Sequence, residues 1–285
     1  MTTAAPLTVG LIGAGRVGAV VGAALHAAGH RVVATTAGSA ASRDRVAKLL
    51  PDAAVLPADE VAGAATGLLL IAVPDDALPG VVRGLRARGA VAHTSGAHGA
   101  AVLGDVDGLA LHPAMTFTGE AADLERLPGI SWGVTAADRA LATRLIADLR
   151  GTPEWIAEEA RPLYHAGLAH GANHLVTLVN DAAGLLAAAG VERPATVLRP
   201  LLEAALDNAL RLGDAALTGP VSRGDAGTVD KHLNHLPAEF APAYLALARR
   251  TADRAIAAGR LRLDEAAQVL EVLARTGEGA HDSTG

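Results

Sequence analysis

A glycine-rich segment near the start of this 285-residue chain restricts its fold more than any other feature. Gly13, Gly15 and Gly18 follow an apolar run at residues 7–12 and open a predicted helix. Glycines at this spacing allow a tight turn, close approach of a pyrophosphate and packing of the helix on the strand, while the helix N-terminus favours the phosphate charge. The segment predicts a dinucleotide site, with an ordinary tight turn as the alternative. The residues expected to contact the dinucleotide here are Gly13, Ala14, Gly15, Arg16, Val17 and Gly18.

The pattern of apolar residues changes once along the chain, near residue 158. Before it, short apolar runs alternate with helical stretches, which is typical of βαβ units and a parallel sheet. After it, alanine- and leucine-rich helices follow one another. We expect an α/β domain with a doubly wound sheet over residues 1–157 and an all-helical domain over residues 158–285. The predicted strands are 7–12, 31–36, 53–56, 67–73, 90–94, 109–112 and 131–135, and the predicted helices are 16–28, 40–50, 76–88, 159–189, 194–212, 228–235, 238–258 and 263–275.

Composition excludes several kinds of function. The chain contains no cysteine, which removes disulfides, thiol nucleophiles and cysteine-ligated metals and fits a reducing compartment. Its 24 basic and 30 acidic residues give a net charge of −6, so no basic face for nucleic acid is expected. The most apolar stretch, residues 67–73, is too short to cross a bilayer, and no signal peptide is recognised. We expect a cytoplasmic protein without nucleic-acid or membrane partners. His170 and His174 have the spacing of a metal pair but no acidic ligand among them, so no metal site is predicted.

The end of the second predicted strand favours NADP over NAD. NAD sites usually place an acidic residue there, but the first acid after the glycine segment is Asp44, which is too far along. Hydroxyl groups and a cation suit a 2′-phosphate instead. The residues expected to contact it are Thr36, Ser39, Ser42 and Arg43; the alternative for Arg43 is an ordinary solvated helix residue.

Polar and turn-forming residues recur at three further strand ends. Ligands of open α/β sheets bind beyond the carboxyl ends of the strands, so these residues are expected near the nicotinamide and its substrate. Each of them alone is more often a simple loop residue. The predicted contacts at these ends are Val73, Pro74, Ser95, Gly96 and His112.

Two segments of the helical half carry polar residues among alanine and leucine. Residues 164–174 contain His165, His170 and Asn173, which predicts a polar stripe that binds substrate or forms an interhelical amide network. Residues 216–233 form a loop of small and polar residues with many backbone donors, which a bound anion would satisfy, and Thr228 is the expected N-cap of the next helix. This segment holds one of only two lysines in the chain, Lys231, and the retention of a lysine among arginines indicates either proton chemistry or chance.

These segments together resemble the Rossmann-like proteins of the 6-phosphogluconate dehydrogenase superfamily whose C-terminal half is the domain of unknown function 2520. The resemblance covers nearly the whole chain, and its most specific motif is ALTGPVSRGDAGTVDKHL at 216–233. The other motifs are GLIGAGRVG at 10–18, HTSGAHG at 93–99, LHPAMTF at 111–117 and YHAGLAHGANHLVTL at 164–178. The resemblance implies an NADP-dependent oxidoreductase. This sequence departs from its relatives at one position. In the β-hydroxyacid and ketopantoate relatives a catalytic lysine precedes an asparagine by four positions. Asn173 matches that asparagine, but Ala169 stands at the position of the lysine.

The expected function is NADPH-dependent reduction of a small 2-oxo acid or imine, with ketopantoate-like carboxylates as the first choice. Asn173 is expected to orient the substrate, Arg223 to pair with its carboxylate, and Lys231 or His112 to donate the proton, because His112 would titrate near neutral pH. Further substrate contacts are expected from His165, Thr218 and Asp225. The alternatives are a prephenate-like dehydrogenase, from the His112-Pro113 pair, and a sensor or scaffold that binds NADP without turnover. A homodimer is expected, because the C-terminal helices are apolar on several faces and the relatives bury such surface across a two-fold axis.

Overall fold

An eight-stranded sheet forms the centre of the first of two compact units, Met1–Leu175 and Val176–Gly285, in a computed structural model that describes residues 5–104 and 108–278. The strands lie in the order β3-β2-β1-β4-β5-β6-β7-β8, and neighbours run parallel except β6 and β7. The order reverses between β1 and β4, which is where ligands of open sheets bind. The strands are β1 Thr8–Ile12, β2 Arg31–Thr35, β3 Ala54–Val55, β4 Leu68–Ile71, β5 Ala90–His93, β6 Gly108–Pro113, β7 Ser131–Ala136 and β8 Thr152–Trp155.

Seven α-helices accompany this sheet, and five further α-helices follow in the described part of the chain. The helices are α1 Arg16–Ala27, α2 Ala40–Leu49, α3 Ala58–Ala64, α4 Leu78–Val82, α5 Ala122–Arg126, α6 Arg139–Asp148, α7 Arg161–Leu168, α8 His174–Ala188, α9 Pro194–Leu212, α10 Ala226–His235, α11 Ala241–Ala257 and α12 Leu263–Glu278. The predicted fold class, a doubly wound α/β sheet followed by a helical C-terminal part, is confirmed.

Three local predictions about the first unit are wrong. The sheet has an eighth strand, β8, whose Pro153 and Glu154 interrupt the apolar alternation; both are tolerated because β8 lies at the edge of the sheet. The sheet is not fully parallel, because β7 pairs antiparallel with β6. The helix predicted at 76–88 is only α4, because the chain turns extended at Arg83 and Gly84 takes a φ of +89°.

The buried interior of the first unit is aliphatic. Strands β1 and β4 have almost wholly buried side chains, and helix α1 packs on them with small residues such as Gly18, Ala19 and Val20. Burial on both sides explains why these strands appear in the sequence as continuous apolar runs rather than as alternating patterns. The glycine segment is thereby fixed at the carboxyl end of β1.

The second unit has its own core, on α10, α11 and α12, which includes Val229, Ala252, Val269 and Leu273. Its first two helices differ from the rest. In the described part of the chain α8 buries none of its side chains and α9 buries only Leu198. Several apolar side chains on both helices are therefore exposed.

The predicted domain limits, 1–157 and 158–285, follow composition, whereas the two units divide 18 residues later, at Leu175 and Val176. The residues of α7 belong with the sheet because the first residue of this helix bonds to two of the strands. The guanidinium of Arg161, at the start of α7, donates hydrogen bonds to the carbonyls of Ala110 on β6 and Gly133 on β7. The domain limits themselves stay a prediction.

Candidate functional site

The glycine turn has the geometry that a dinucleotide site needs. Gly13 has a φ of +101°, and a Cβ there would lie 2.4 Å from the carbonyl oxygen of Ala72. A Cβ on Gly18 would lie 2.0 Å from the carbonyl oxygen of Gly13, so the helix can approach the strand only with glycine here. A Cβ on Gly15 would meet nothing within 4 Å. The fold therefore requires Gly13 and Gly18, whereas Gly15 leaves open space beside the N-terminus of α1, as a pyrophosphate requires.

The residues after β2 brace this turn. Thr36 accepts a hydrogen bond from the Gly13 amide at its Oγ1 (2.9 Å) and another from the Ala14 amide at its carbonyl (3.1 Å). Ser39 and Ser42 cap α2 reciprocally: each hydroxyl accepts from the backbone amide of the other, at 3.1 and 2.9 Å. These predicted 2′-phosphate residues thus already have roles in the fold.

Arg43 is the cation at this corner of the sheet. Its exposed guanidinium donates from Nη1 to the carbonyls of Ala37 and Gly38, both at 3.3 Å, in the loop that follows β2. These bonds are long and lie at the protein surface, where they are weak, so the guanidinium can exchange them for a phosphate.

Two cavities of the first unit adjoin one another at the carboxyl ends of β4, β5 and β6. They share Arg16, Val17, His112 and His165 among their lining residues. The smaller, of about 340 Å³, is also lined by Gly15, Val73, Pro74, Ser95 and Gly96. The larger, of about 460 Å³, is also lined by Met115, Phe117, Ala169 and Asn173. The structure thus brings the residues predicted from three separate strand ends into one place, together with His165 and Asn173.

The loop after β5 is held rigidly against this site. His93 is fully buried; its Nε2 lies 2.9 Å from the carbonyl of Gly99, to which it donates, and its Nδ1 accepts from the Ser95 amide at 3.1 Å. The Ser95 hydroxyl accepts from the His98 amide at 3.0 Å. Burial lowers the pKa of His93 to about 4, so the ring stays neutral at pH 7 and keeps both bonds. Ser95 and Gly96 are therefore presented to the smaller cavity by a fixed loop.

His112 lies at the centre of the site, but it does not titrate near neutral pH as expected. Its Nδ1 lies 3.0 Å from the hydroxyl of Tyr164, and its ring meets that of His165 edge-on with centroids 6.0 Å apart. Burial, and then the nearby His165 and Arg161, lower the pKa of His112 to about 4. The expectation that His112 titrates near neutral pH is therefore wrong, because the ring is neutral at pH 7. The role of His112 as a proton donor stays a prediction.

Arg161 and Tyr164 are site residues that the sequence did not single out. Arg161 is fully buried; its Nε donates to the hydroxyl of Thr135 at 2.7 Å, and its Nη1 has no hydrogen-bond partner among the described residues. The residue stands at the start of a helix within an Arg-Pro-Leu-Tyr segment, and such a position usually indicates a solvated cation. The nearest signal was Tyr164 itself, one of only two tyrosines in the chain.

A π-helical turn at Ala169–Asn173 separates α7 from α8. The helix predicted at 159–189 is thus present from Arg161 to Ala188, and this π-helical turn lies within it. Turns of this kind widen a helix locally and occur often at functional sites. Here both Ala169 and Asn173 line the larger cavity, and the alanine at the position of the relatives' lysine adds no charge to it.

The other predicted site residues belong to the second unit. Asp225 is the N-cap of α10, accepting from the Thr228 amide at 3.0 Å and the Thr228 hydroxyl at 2.7 Å, so the expected N-cap at Thr228 is wrong. These bonds lower the pKa of Asp225 and occupy its carboxylate. Arg223 ends a short 3₁₀ turn, and Lys231 lies exposed on α10. Thr218 lines a mostly apolar cavity of about 340 Å³ with His232 and Tyr244.

Two family models match separate ranges of the chain. Residues 2–113 match a Rossmann-like domain, and residues 130–251 match a domain of unknown function, DUF2520. The chain joins a Rossmann-like domain to a DUF2520 domain. The predicted resemblance to a Rossmann-like domain followed by a DUF2520 domain is confirmed. The search of curated proteins found no match to this chain.

Solved structures similar to this Rossmann-like/DUF2520 chain include several oxidoreductases. A Bacteroides fragilis protein assigned as an NADP oxidoreductase has a TM-score of 0.74 and 24% identity over 87% of this chain and 98% of its own. A reductive aminase from Aspergillus terreus, in complex with NADPH and ethyl levulinate, has a TM-score of 0.64 and 17% identity over 94% and 99%. A 1-pyrroline-5-carboxylate reductase from Streptococcus pyogenes has a TM-score of 0.62 and 15% identity over 88% and 98%. These similarities show the fold.

Over the described ranges, no helix has both the length and the apolar character to cross a membrane.

Proposed function

We propose that this protein is an oxidoreductase that uses NADPH to reduce a small 2-oxo acid or imine, with ketopantoate-like carboxylates as the first choice of substrate. One observation carries this proposal. The cavity beside the glycine turn adjoins a larger cavity that contains Asn173, and the two share His112 and His165. A cofactor cavity that opens onto a second cavity with polar groups is what hydride transfer between two bound molecules requires.

The glycine turn and the loop after β2 would hold the cofactor. Gly15 and the N-terminus of α1 suit the pyrophosphate, and no side chain among the described residues caps α1 or places an acid in its first turn. Arg43 would bind the 2′-phosphate, with the Thr36, Ser39 and Ser42 hydroxyls around it. When bound, NADPH supplies the hydride.

The substrate groups follow from the remaining predicted residues. Asn173 would orient the substrate from the wall of the larger cavity, and Arg223 would pair with its carboxylate. Lys231 is the proposed proton donor, because Ala169 carries no amine and His112 is neutral at pH 7. His165, Thr218 and Asp225 remain proposed substrate contacts, and for Asp225 this requires its cap on α10 to open.

The test is oxidation of NADPH with ketopantoate and with 1-pyrroline-5-carboxylate. Lys231→Met should lower kcat at least about a hundredfold and leave NADPH affinity within about threefold, because a general acid contributes roughly 10²–10⁴ to the rate. The other lysine offers a matched control: Lys48 is exposed and pairs with Asp44 on α2 at 2.9 Å, so Lys48→Met should keep full turnover. Near-normal turnover of Lys231→Met would show that this lysine is structural.

A second candidate is a protein that binds NADP without turnover. It is favoured by the alanine at position 169 and by the neutral state of His112, which leave the cavities of the first unit without a cationic acid in the position of the relatives' lysine. Tight binding of NADPH combined with no oxidation by either substrate would favour this candidate over the reductase.

We also propose that the protein is a homodimer. Leu201 and Leu210 on α9 are 63% and 80% exposed, and Val176 on α8 is 58% exposed. Exposed apolar side chains along two successive helices are costly in water and are usually buried by a partner. A second copy of the chain would cover them by symmetry. Sedimentation at the monomer mass of 28.6 kDa at micromolar concentration would contradict this proposal.

A further inference from the structure

We propose that Tyr164 is a positioning residue that holds neutral His112 in the tautomer with its proton on Nε2, so that His112 donates a hydrogen bond to the oxygen of the substrate carbonyl. This inference rests on the proposed reductase function and deepens it. His112 thereby polarises the carbonyl and keeps its own proton, while the proton that completes the alcohol comes from elsewhere, under the proposed function from Lys231.

The two ring nitrogens of His112 have different surroundings. Nδ1 lies 3.0 Å from the hydroxyl of Tyr164. Nε2 has no hydrogen-bond partner among the described residues, and a Cβ built on Gly96 would lie 3.0 Å from it. Gly96 and His112 both line the smaller cavity, so Nε2 is the nitrogen on the cavity side.

The direction of the Tyr164 hydrogen bond decides the tautomer. Burial raises the pKa of Tyr164, while Arg161 and the Gly133 backbone act to lower it. The hydroxyl is therefore protonated at pH 7. Nδ1 of His112 lies within hydrogen-bond distance of this hydroxyl, and no other side chain or carbonyl of the described residues accepts its proton, so the proton is available for Nδ1. An imidazole that accepts at Nδ1 carries its proton on Nε2.

The fold builds this pair from three elements. Gly133 on β7 lies directly opposite His112 on β6, and a Cβ on Gly133 would lie 2.4 Å from the Tyr164 hydroxyl. The missing side chain therefore makes room for the phenol between the strands and α7. The buried guanidinium of Arg161 lies 5.8 Å from the centre of the Tyr164 ring and is held by carbonyls of β6 and β7. Tyr164 has little freedom to turn away from His112.

Charges around His112 also keep the ring neutral. Burial lowers its pKa most, His165, Arg161 and His93 lower it further, and Asp75 acts in the opposite direction. The titratable and charged groups that face the ring are Tyr164, His165 and Arg161 from α7, His93 from β5 and Asp75 from the loop after β4. A neutral N–H donor complements an oxygen that gains negative charge, which is the situation of a carbonyl as hydride arrives.

The test is nitrogen NMR of the free protein with ¹⁵N-labelled histidine, with the His112 signals assigned by their loss in His112→Gln. At pH 7 the parent protein should show a bare Nδ1 and a protonated Nε2. Tyr164→Phe removes only the hydroxyl and should turn this single tautomer into a mixture. The other tyrosine provides the control: Tyr244 pairs in the same way with Nδ1 of His232, at 2.9 Å, so Tyr244→Phe should leave the His112 signals unchanged.

The kinetic arm uses the oxo acid that the protein reduces. Tyr164→Phe should lower kcat about tenfold, the effect of losing one hydrogen bond in the transition state, with little change in NADPH affinity. A proton on Nδ1 in the parent protein, a charged ring at pH 7, or an unchanged tautomer in Tyr164→Phe would overturn the role of Tyr164. Because the NMR arm needs neither cofactor nor substrate, it decides that role even if no turnover is found, which would refute the reductase function instead.

Discussion

Lowering the pH from 7 to 5 should destabilise the first unit through His93 and His112, whose pKa values are lowered chiefly by burial. His93 and His112 both have pKa values of about 4 in the folded protein, against 6.5 for an ordinary histidine. Between these values the unfolded chain binds protons that the folded protein does not. The neutral histidines therefore leave the free energy of unfolding at its full value above pH 6.5, and this free energy decreases as the pH falls towards 4. At pH 5 each histidine should lower the free energy of unfolding by about 2 kcal/mol, and the pair should lower it by about 4 kcal/mol.

Urea unfolding followed by tryptophan fluorescence measures this effect in the first unit alone. The chain has two tryptophans, Trp132 on β7 and Trp155 on β8. His93→Gln replaces the ring with an amide that can still donate to Gly99 and accept from Ser95, but does not titrate. Its loss of unfolding free energy from pH 7 to 5 should be about 2 kcal/mol smaller than that of the parent.

The matched control is His26→Gln, because His26 is an exposed histidine on α1 of the same unit. It should show the same loss as the parent protein. If the parent loses less than about 1 kcal/mol between pH 7 and 5, or if His93→Gln loses as much as the parent, His93 and His112 do not control the acid stability of this unit.

Three further predictions concern the cofactor and the assembly. Gly15→Ala should change the free energy of unfolding by no more than about 0.5 kcal/mol but weaken NADPH binding, measured by calorimetry, at least about tenfold. Gly18→Ala should instead destabilise the fold, because its Cβ would lie 2.0 Å from the carbonyl oxygen of Gly13. Full NADPH affinity in Gly15→Ala would contradict the proposed pyrophosphate position. NADPH should bind at least about tenfold more tightly than NADH, and Arg43→Ala should remove most of that preference; equal dissociation constants in the parent protein would refute it. Leu210→Asp should shift sedimentation of the proposed dimer towards the monomer, and an unchanged dimer would place the interface elsewhere.

Much of the fold could be predicted from the sequence because local patterns determine it. The apolar runs of β1 and β4 and the glycines between strand and helix have one common explanation, a buried parallel sheet. Strand β8 escaped prediction because Pro153 and Glu154 are allowed only by its place at the sheet edge. The direction of β7 depends on the path of its connection, which the pattern of apolar residues does not record.

The candidate site was predictable where the rule of strand ends applies. Val73, Ser95 and His112 end strands that are separate in sequence, and the structure gathers them at one edge of the sheet. Arg161 and Tyr164 were not predictable, because their importance depends on the antiparallel pairing that places Gly133 opposite His112. The protonation of His112 also could not be read from sequence, since burial and neighbouring charge set it.

Transfer of deuterium from NADPH to a substrate tests the central proposal most directly. NADPH that carries deuterium at both hydrogen positions of the nicotinamide C4 is incubated with the protein and with ketopantoate or 1-pyrroline-5-carboxylate, and the product is examined by mass spectrometry. A hydride-transferring reductase should place one deuterium in the product for each NADPH consumed. Tight binding of NADPH without any deuterated product from either substrate would contradict the reductase and leave a protein that binds NADP without turnover.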